Sequence, residues 1–508
     1  MRRKDGNINW VMLVSLIVCG IIIVWAIVNP TGFGTAANML MAFITGKFGW
    51  LYMLGVAAFL FFCIFIAVSK FGTIKLGKDD DVPEYSTGSW FAMLFSSGMG
   101  IGLIFWGVAE PITHFTTANN SDIFDITNPA QWAMTKSLLH WCLHPWAIFC
   151  IIGLGLAYMV FRKDRPMLVS TIFVPLLGEE KCKGRIGQLI DIFAVIATVA
   201  GVCTSLGLGT LQINGGLNAL MGIPENTLVQ IIIIIVISFL FTYTAATGIE
   251  KGISIVADIN MVLCVLMMVL CFIFGPTVFE LNIMSESLGQ YLINIIPDSF
   301  AVGAFDEAEH DWLSSWTIFY WAWWVAWAPF CGCFIARISK GRTIREFIAG
   351  VLVVPALLSL IWFAIMGGMG LNLGEEICRL ASQNSATACF VVFLKYPLGK
   401  IISGICVMLV CTFFVTSANS ATFVLGMYTD EGNLDPSGKR KTLWGIVEAV
   451  FALVLLVCTD DGLSMMQTIS IAGAFPFLLV MIASLAAIYK MLDSDIKENS
   501  AAEQEEIE

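Results

Sequence analysis

Aromatic rings are concentrated in one apolar segment, WTIFYWAWWVAWAPFCGCFIARISKGRTIRE, at residues 316–346. Membrane helices usually carry tryptophan at their two interfaces. The apolar part, Leu313 to Ile335, is long enough to cross about 30 Å of hydrocarbon, which puts Trp323, Trp324 and Trp327 near its middle. Rings at that depth either pack between helices or line a cavity that binds a cation through ring faces.

Two glycine- or proline-containing stretches predict interrupted helices. Pro329 and Gly332 weaken the helix just after the tryptophans. In FSSGMGIGLIFWG, at residues 95–107, glycines two positions apart do not keep to one helix face, which predicts a break from Gly98 to Gly102. Such a break leaves N–H groups for a carboxylate and carbonyls for Na⁺. The expected binding groups belong to Gly98, Met99 and Gly100.

A second aromatic set occurs in HWCLHPWAIF, at residues 140–149. Its rings are Trp141, Trp146 and Phe149, again away from the ends of an apolar stretch. His140 and His144 have the i, i+4 spacing of a metal or haem site. The whole chain has four histidines, and no cysteine or carboxylate cluster lies nearby in sequence. We therefore predict packing or local hydrogen bonding for both.

Composition indicates an all-α integral membrane protein. Of 508 residues, 58% are hydrophobic and 13% are charged. Acidic patches at 79–81 and 503–508 account for much of the net charge of −11, so no nucleic-acid partner is expected. Most of the fifteen cysteines stand alone in apolar segments, as packing residues do. Cys378 and Cys389 share a loop, and the sequence leaves open whether they are bridged.

Hydropathy predicts twelve transmembrane helices, at about 9–29, 49–69, 89–110, 131–161, 187–215, 227–247, 251–274, 313–336, 347–371, 399–428, 442–458 and 463–489. With the N-terminus inside, most lysines and arginines face the cytoplasm. The exceptions are Lys47, Lys136, Arg379, Lys395 and Lys400. We therefore expect a multi-pass protein of the cell (inner) membrane with both termini cytoplasmic. Between the seventh and eighth spans, residues 277–300 predict an amphipathic interfacial helix.

Two broken spans five helices apart are typical of a transporter built from inverted repeats. A quaternary ammonium can neither lose its charge nor donate a hydrogen bond, so ring faces compensate its desolvation. A carboxylate on the same molecule would suit the break, which points to a betaine. A membrane enzyme would need a convergent set of histidine, cysteine and carboxylate groups, and none is visible in sequence. A sensor would usually append a soluble output domain.

Several segments together resemble the betaine/choline/carnitine transporter family. They are GMGIGLIFWGVAEP at 98–111, HWCLHPWAIF at 140–149, SLGLGTLQI at 205–213, FYWAWWVAWAPF at 319–330, ARISKGRTIREF at 336–347 and FFVTSANSAT at 413–422. The resemblance implies a leucine-transporter-type fold of two inverted five-helix repeats, spans 3–7 and 8–12, a homotrimer in membrane lipid, and alternating access. No cofactor is implied besides a coupling ion.

By matching position, the family's aromatic box falls on Trp141, Trp146, Phe149 and Trp324, with Trp323 and Trp327 beside the path. Glycine betaine carriers of the family have Tyr where this chain has Phe149. Sodium-independent exchangers have Met where it has Cys331, another substrate-site position, and Arg where it has Ser254. The resemblance thus favours the ion-coupled branch.

The resemblance also implies a sodium site and therefore Na⁺ as coupling ion. Its ligands would be carbonyls of Ser96, Met99 and Phe413 with hydroxyls of Thr416 and Ser417. A second site would need two threonines and the ring of Phe330; Thr198 supplies one, but Val202 stands in place of the other. Na⁺ symport of a betaine is expected. The alternatives are sodium-independent carnitine/butyrobetaine exchange and choline uptake.

The expected organisation has five parts. They are 1–88, an N-terminal tail with helices 1–2; 89–274, the first repeat; 275–312, an extracellular amphipathic linker; 313–489, the second repeat; and 490–508, a short acidic cytoplasmic tail. Osmosensing members of the family carry a long basic C-terminal extension. Anionic lipid repels an acidic segment, so we expect transport that osmotic upshift does not switch on.

Overall fold

The structure, a computed structural model, describes residues 9–98, 100–120, 126–247, 250–458 and 462–505. Helices make up 85% of the residues in these ranges. Within these ranges there is no β-strand, and one isolated antiparallel bridge joins Lys75 to Thr343. The all-helical class predicted from composition is confirmed.

The described residues of the first half form ten α-helices. They are α1 (Trp10–Val28), α2 (Pro30–Val68), α3 (Thr87–Gly98), α4 (Ile101–Asn120), α5 (Pro129–Trp141), α6 (Leu143–Ala157), α7 (Val174–Leu177), α8 (Glu179–Lys183), α9 (Arg185–Met221) and α10 (Thr227–Thr247). The predicted break in the third span is present, because α3 ends at Gly98 and α4 begins at Ile101.

Ten more are formed by the described part of the second half. They are α11 (Glu250–Phe274), α12 (Thr277–Phe300), α13 (Glu307–Leu313), α14 (Phe319–Arg337), α15 (Ile344–Asn372), α16 (Glu375–Ser382), α17 (Ala388–Phe393), α18 (Gly399–Tyr428), α19 (Gly438–Val457) and α20 (Gly462–Glu505). A π-helical turn, Ser314–Ile318, joins α13 to α14. The predicted linker helix at 277–300 is α12.

Ten helical segments in the described ranges are long and apolar enough to cross a membrane. The predicted spans at 89–110 and 442–458 are helical but are not among them. The former is divided between α3, of twelve residues, and α4, whose second half is polar. The latter, α19, begins with the charged run 439–441 and carries Glu448. The count of twelve spans therefore stays a prediction.

Helix α14 lies at the centre of the core, and nearly all of its side chains are buried. It is one continuous α-helix through Pro329 and Gly332, so the predicted interruption of the eighth span is wrong. The Tyr428 hydroxyl on α18 donates a hydrogen bond to the Pro329 carbonyl at 2.7 Å. Gly332 serves close packing instead, since a Cβ there would lie 2.7 Å from Cγ2 of Ile152 on α6.

The second break occurs in the fourth predicted span, between α5 and α6. Cys142 has φ −94° and ψ −115°, outside the helical region. Pro145 explains the position, because a proline ring clashes with the carbonyl four residues earlier, here that of Trp141, the last residue of α5. The freed Leu143 N–H donates to the Tyr291 hydroxyl of α12 at 3.1 Å.

All fifteen cysteines lie in the described residues, and none of them forms a disulfide there. Cys378 and Cys389, which share a loop in the sequence, are both buried. The Cys378 thiol faces the Gly370 carbonyl at 3.4 Å, and the Gln212 amide faces the Cys389 sulfur at 3.5 Å. The isolated occurrence of cysteine in apolar segments thus corresponds to packing.

Gly332→Ala is expected to destabilise the fold. The new methyl group would meet Ile152 at 2.7 Å and the Gly153 backbone nitrogen at 3.0 Å, so α14 and α6 must separate. Overpacking of this kind costs about 1–3 kcal/mol. Thermal unfolding of the purified protein should show a lower midpoint. Gly404→Ala is the control, because a Cβ at Gly404 meets nothing within 4 Å; equal midpoints for the two variants would contradict the prediction.

Candidate functional site

The break between α3 and α4 faces α18. A Cβ on Gly100 would lie 3.3 Å from the Ser417 hydroxyl oxygen. Gly98 is the last residue of α3. Met99 and the side chain of Ser96 lie outside the described residues. The N-terminus of α4 follows directly, and its first N–H groups have no partner within the helix.

Four predicted rings, those of Trp141, Trp146, Phe149 and Trp324, come together between α5, α6 and α14, and all are buried. The Trp141 and Trp324 centroids are 4.9 Å apart with ring planes at 81°. Phe149 lies 5.9 Å from Trp324 at 89°, and Trp146 lies 5.7 Å from Phe149 at 87°. Rings at these distances and angles pack edge to face.

Two further tryptophans of α14 are fixed by α9. Both indole N–H groups, of Trp323 and Trp327, donate to the Gly201 carbonyl, at 3.4 and 3.0 Å. A Cβ on Gly201 would lie 2.7 Å from Cδ1 of Trp327, so only glycine permits this approach. Trp323 stacks on Trp324 with centroids 5.0 Å apart. Sequence reasoning did not single out Gly201, because nothing local links it to α14.

Gly102, in the first turn of α4, borders the same rings. A Cβ there would lie 2.7 Å from Cη2 of Trp323 and 3.1 Å from Cη2 of Trp141. The N-terminal turn of α4 therefore lies directly beside the aromatic residues. This contact joins the two features that the sequence predicted separately, the glycine-rich break and the ring cluster.

Gly102→Ala is expected to move the Trp141 and Trp323 rings and to weaken ligand binding there by about tenfold, the equivalent of roughly 1.4 kcal/mol. The measurement is equilibrium binding of a betaine, the ligand expected from the sequence, to purified protein. Gly20→Ala is a matched control, since a Cβ at Gly20 on α1 meets nothing within 4 Å. Wild-type affinity in Gly102→Ala would show that the rings next to it take no part in binding.

Beside Trp141 lies a buried polar cluster that sequence reasoning missed. The Glu110 carboxylate on α4 lies 2.7 Å from His140 Nδ1 and 3.2 Å from His114 Nε2. It also accepts hydrogen bonds from Trp141 Nε1, at 2.7 Å, and from the Tyr320 hydroxyl. All five side chains are buried.

The hydrogen bonding predicted for His140 and His144 is present. A convergent set of histidine and carboxylate groups, which the sequence did not show, is present as well. His140 is thirty residues from Glu110 in sequence, and only the packing of α4 against α5 joins them. Within the described ranges, Glu110, His114 and His140 are the one group of three such side chains with donor atoms inside 4.8 Å. Their types suit a zinc-like ion, but their carboxylate–imidazole distances are those of hydrogen bonds. His144 is separate and pairs with Ser299 at 2.8 Å.

The predicted sodium ligands on α18 lie at consecutive turns. Phe413 is buried, whereas Thr416 and Ser417 are half-buried. The Thr416 hydroxyl donates to the carbonyls of Thr412, at 3.1 Å, and Phe413, at 3.3 Å. Asn260 on α11 donates its amide to the same hydroxyl at 3.4 Å. The sequence did not single out Asn260.

Of the remaining predicted residues, Thr198, Phe330 and Cys331 are all buried. The Thr198 hydroxyl donates to the Ala194 carbonyl of its own helix at 2.8 Å. The Phe330 ring lies 5.5 Å from Trp327. Val202, one turn after Thr198, is also buried and offers no oxygen from its side chain.

Comparison with known proteins gives a match over nearly the whole chain. Residues 10–497 match the model of the betaine/carnitine/choline family of transporters. The glycine betaine transporter OpuD of Bacillus subtilis is 44% identical over 99% of this chain and 98% of its own length. A probable glycine betaine transporter of Desulfitobacterium hafniense is 43% identical, covering 97% and 99%. The ectoine/hydroxyectoine transporter of Virgibacillus pantothenticus is 40% identical, covering 98% and 99%.

Proposed function

Because the chain belongs to the betaine/carnitine/choline family of transporters, we propose that it carries zwitterionic quaternary-ammonium compounds, glycine betaine first among them, together with Na⁺. It is a multi-pass membrane transporter and not an enzyme. Two relatives named as glycine betaine transporters support the substrate class.

The observation that carries the proposal is the ring cluster. Trp141, Trp146, Phe149 and Trp324 meet edge to face, in buried positions, on three different helices. A trimethylammonium group makes its best contacts with such ring faces, each worth up to about 2 kcal/mol when desolvated. Trp323, Trp327 and Cys331 would line the adjoining path along α14.

The substrate carboxylate would bind at the break before α4. A helix N-terminus carries unpaired N–H groups and a partial positive charge. The contact of Gly102 with Trp141 and Trp323 supports this arrangement, because it brings the first turn of α4 next to the rings. Gly98, Met99 and Gly100 would supply the backbone groups.

One sodium ion would bind between the α3–α4 junction and α18. Its ligands would be the carbonyls of Ser96, Met99 and Phe413 and the hydroxyls of Thr416 and Ser417. The proximity of Gly100 to the Ser417 hydroxyl supports the pairing of these two segments. A second sodium site at Thr198 and Phe330 would need a further hydroxyl from the residue at position 202. That residue is Val202, which has none, so we propose a single ion.

The proposal extends to the architecture. Two inverted five-helix repeats, 89–274 and 313–489, would alternate access to the site, preceded by 1–88, joined by the extracellular linker 275–312 and followed by the acidic segment 490–508. The protein would form a homotrimer in the cell membrane with both termini in the cytoplasm. No cofactor besides Na⁺ is proposed.

The test is binding and counterflow across one panel of compounds. Purified protein is given glycine betaine, proline betaine, carnitine, γ-butyrobetaine, choline and ectoine, each in Na⁺ and in K⁺. The proposal expects tightest binding and Na⁺-dependent counterflow for a betaine. Equal exchange of carnitine and butyrobetaine in both salts would identify a sodium-independent exchanger. Preference for choline would identify a choline carrier. Preference for ectoine would identify the activity named for the Virgibacillus relative.

A further inference from the structure

Glu110 lies in the middle of α4 and is fully buried. It is not among the residues proposed to contact the substrate. Each of its two carboxylate oxygens makes two polar contacts. Oε1 faces His140 Nδ1 at 2.7 Å and His114 Nε2 at 3.2 Å. Oε2 accepts from Trp141 Nε1 at 2.7 Å and from the Tyr320 hydroxyl.

Hydrogen bonding indicates that the carboxylate is an acceptor of all four contacts. An indole nitrogen is a donor only. The Thr317 hydroxyl, 3.0 Å from His140 Nε2, can donate to that nitrogen, and in that tautomer Nδ1–H is directed at Glu110. His114 Nδ1 has no partner among the described residues, so its proton belongs on Nε2, towards Glu110. Four donated hydrogen bonds favour the charged form of a carboxylate.

No lysine or arginine neutralises that charge within the described part of the chain. Lys136, one turn before His140 on α5, pairs instead with Asp298 of α12 at 2.7 Å. The groups that face Glu110 are therefore polar but uncharged when both imidazoles are neutral. A buried anion without a cation is expensive, and a positive charge close by would relieve the cost.

The Glu110 carboxylate is connected by hydrogen bonds to two tryptophans of the ring cluster, Trp141 and Trp324. It contacts Trp141 directly through Nε1. It reaches Trp324 through one residue, since His140 donates to Glu110 and the His140 carbonyl accepts from Trp324 Nε1 at 3.0 Å. Trp323 is different, because its indole is held by Gly201 on α9.

We propose that Glu110 is the counter-charge of the cation site, acting through the rings without touching the substrate. A hydrogen bond to a carboxylate increases the electron density of the indole, and the ring face then attracts a cation more strongly. The anion also attracts the cation directly across a medium of low dielectric constant. Glu110 is thus a specificity-determining residue that favours a trimethylammonium over an uncharged group of the same shape. This inference depends on the proposed quaternary-ammonium site.

The experiment compares two ligands of one shape. Glycine betaine and 3,3-dimethylbutanoate differ in that a quaternary nitrogen is replaced by a carbon, so the ratio of their affinities measures recognition of the positive charge. Binding of both is measured on the full-length protein in detergent. In the wild type, glycine betaine should bind far more tightly. In Glu110→Gln, which keeps the shape and removes the charge, the ratio should fall about tenfold or more.

Two further variants separate charge from disruption of the cluster. Tyr320→Phe removes one donor to the same carboxylate and leaves its charge, so the ratio should stay within about threefold of wild type. Glu110→Asp keeps the negative charge, but its side chain is shorter by one methylene, so the carboxylate lies farther from the Trp141 indole. The ratio of the two affinities should therefore fall severalfold. This second variant decides the matter if Glu110→Gln does not fold.

The outcomes are distinct. An unchanged ratio in Glu110→Gln, or in Glu110→Asp where the former is unfolded, overturns the counter-charge role. An equal fall in Tyr320→Phe also overturns it, because hydrogen bonding and not charge would then matter. A wild-type protein that does not distinguish the two ligands refutes the quaternary-ammonium site itself, and so the proposed function.

Discussion

Trp324→Leu is expected to weaken binding of glycine betaine by about thirtyfold, because one ring face worth up to about 2 kcal/mol is removed. The ring is buried and perpendicular to both Trp141 and Phe149. Leucine keeps much of the volume and the apolar character. Affinity is measured by equilibrium binding on the purified variant, with thermal unfolding to show that the fold is retained.

The control for this variant is Trp444→Leu. Trp444 is also buried, and its indole donates one hydrogen bond, to the Thr429 hydroxyl at 2.9 Å, but it belongs to α19. It therefore reports the structural cost of losing an indole outside the ring cluster. Affinity within threefold of wild type in Trp324→Leu, or an equal loss in both variants, would contradict a specific role for Trp324.

The double variant Thr416→Ala, Ser417→Ala is expected to abolish stimulation of uptake by Na⁺. A betaine has no net charge, so the membrane potential drives its uptake only if a cation moves with it, and one Na⁺ contributes about 2.3 kcal/mol per 100 mV. Uptake into proteoliposomes is measured at varied external Na⁺, with K⁺ as replacement. The wild type should respond with a Hill coefficient of about one, since Val202 removes a hydroxyl from the second site.

Thr412→Ala is the matched control for the ion site. Its hydroxyl lies one turn before Thr416 and bonds to the Met408 carbonyl at 2.8 Å. Na⁺ stimulation should survive in this variant. Stimulation that survives in the double variant as well would mean that the ion binds elsewhere. Equal wild-type uptake in the two salts would favour exchange.

Local features were predicted well where residue type alone decides the structure. The apolar segments predicted the all-helical class, and the alternate glycines at 98–102 predicted the end of α3 and the start of α4. Proline was less informative. Pro145 ends a helix four residues earlier, whereas α14 continues through Pro329, whose carbonyl accepts a hydrogen bond from Tyr428 of another helix. The outcome depends on tertiary partners that no local pattern contains.

The polar cluster shows the same limit more clearly. Tyr320 and Glu110 are 210 residues apart, and neither belongs to a recognisable motif together with the other. Gly201 likewise has no sequence signal that connects it to Trp323 and Trp327. Such contacts arise when helices distant in sequence pack side by side. Sequence reasoning therefore identified the rings but not the groups that hold them.

The discontinuity at Cys142 also has a mechanical consequence. Helix α12 bridges the two pieces, since Asp298 holds Lys136 of α5 while Tyr291 and Ser299 hold Leu143 and His144 of α6. Helix α12 thus connects α5 and α6 across the break at Cys142. If α5 bends relative to α6, these bonds must stretch or α12 must move with the two helices. Helix α12, which lies outside both proposed repeats, therefore limits bending at the break beside the tryptophans.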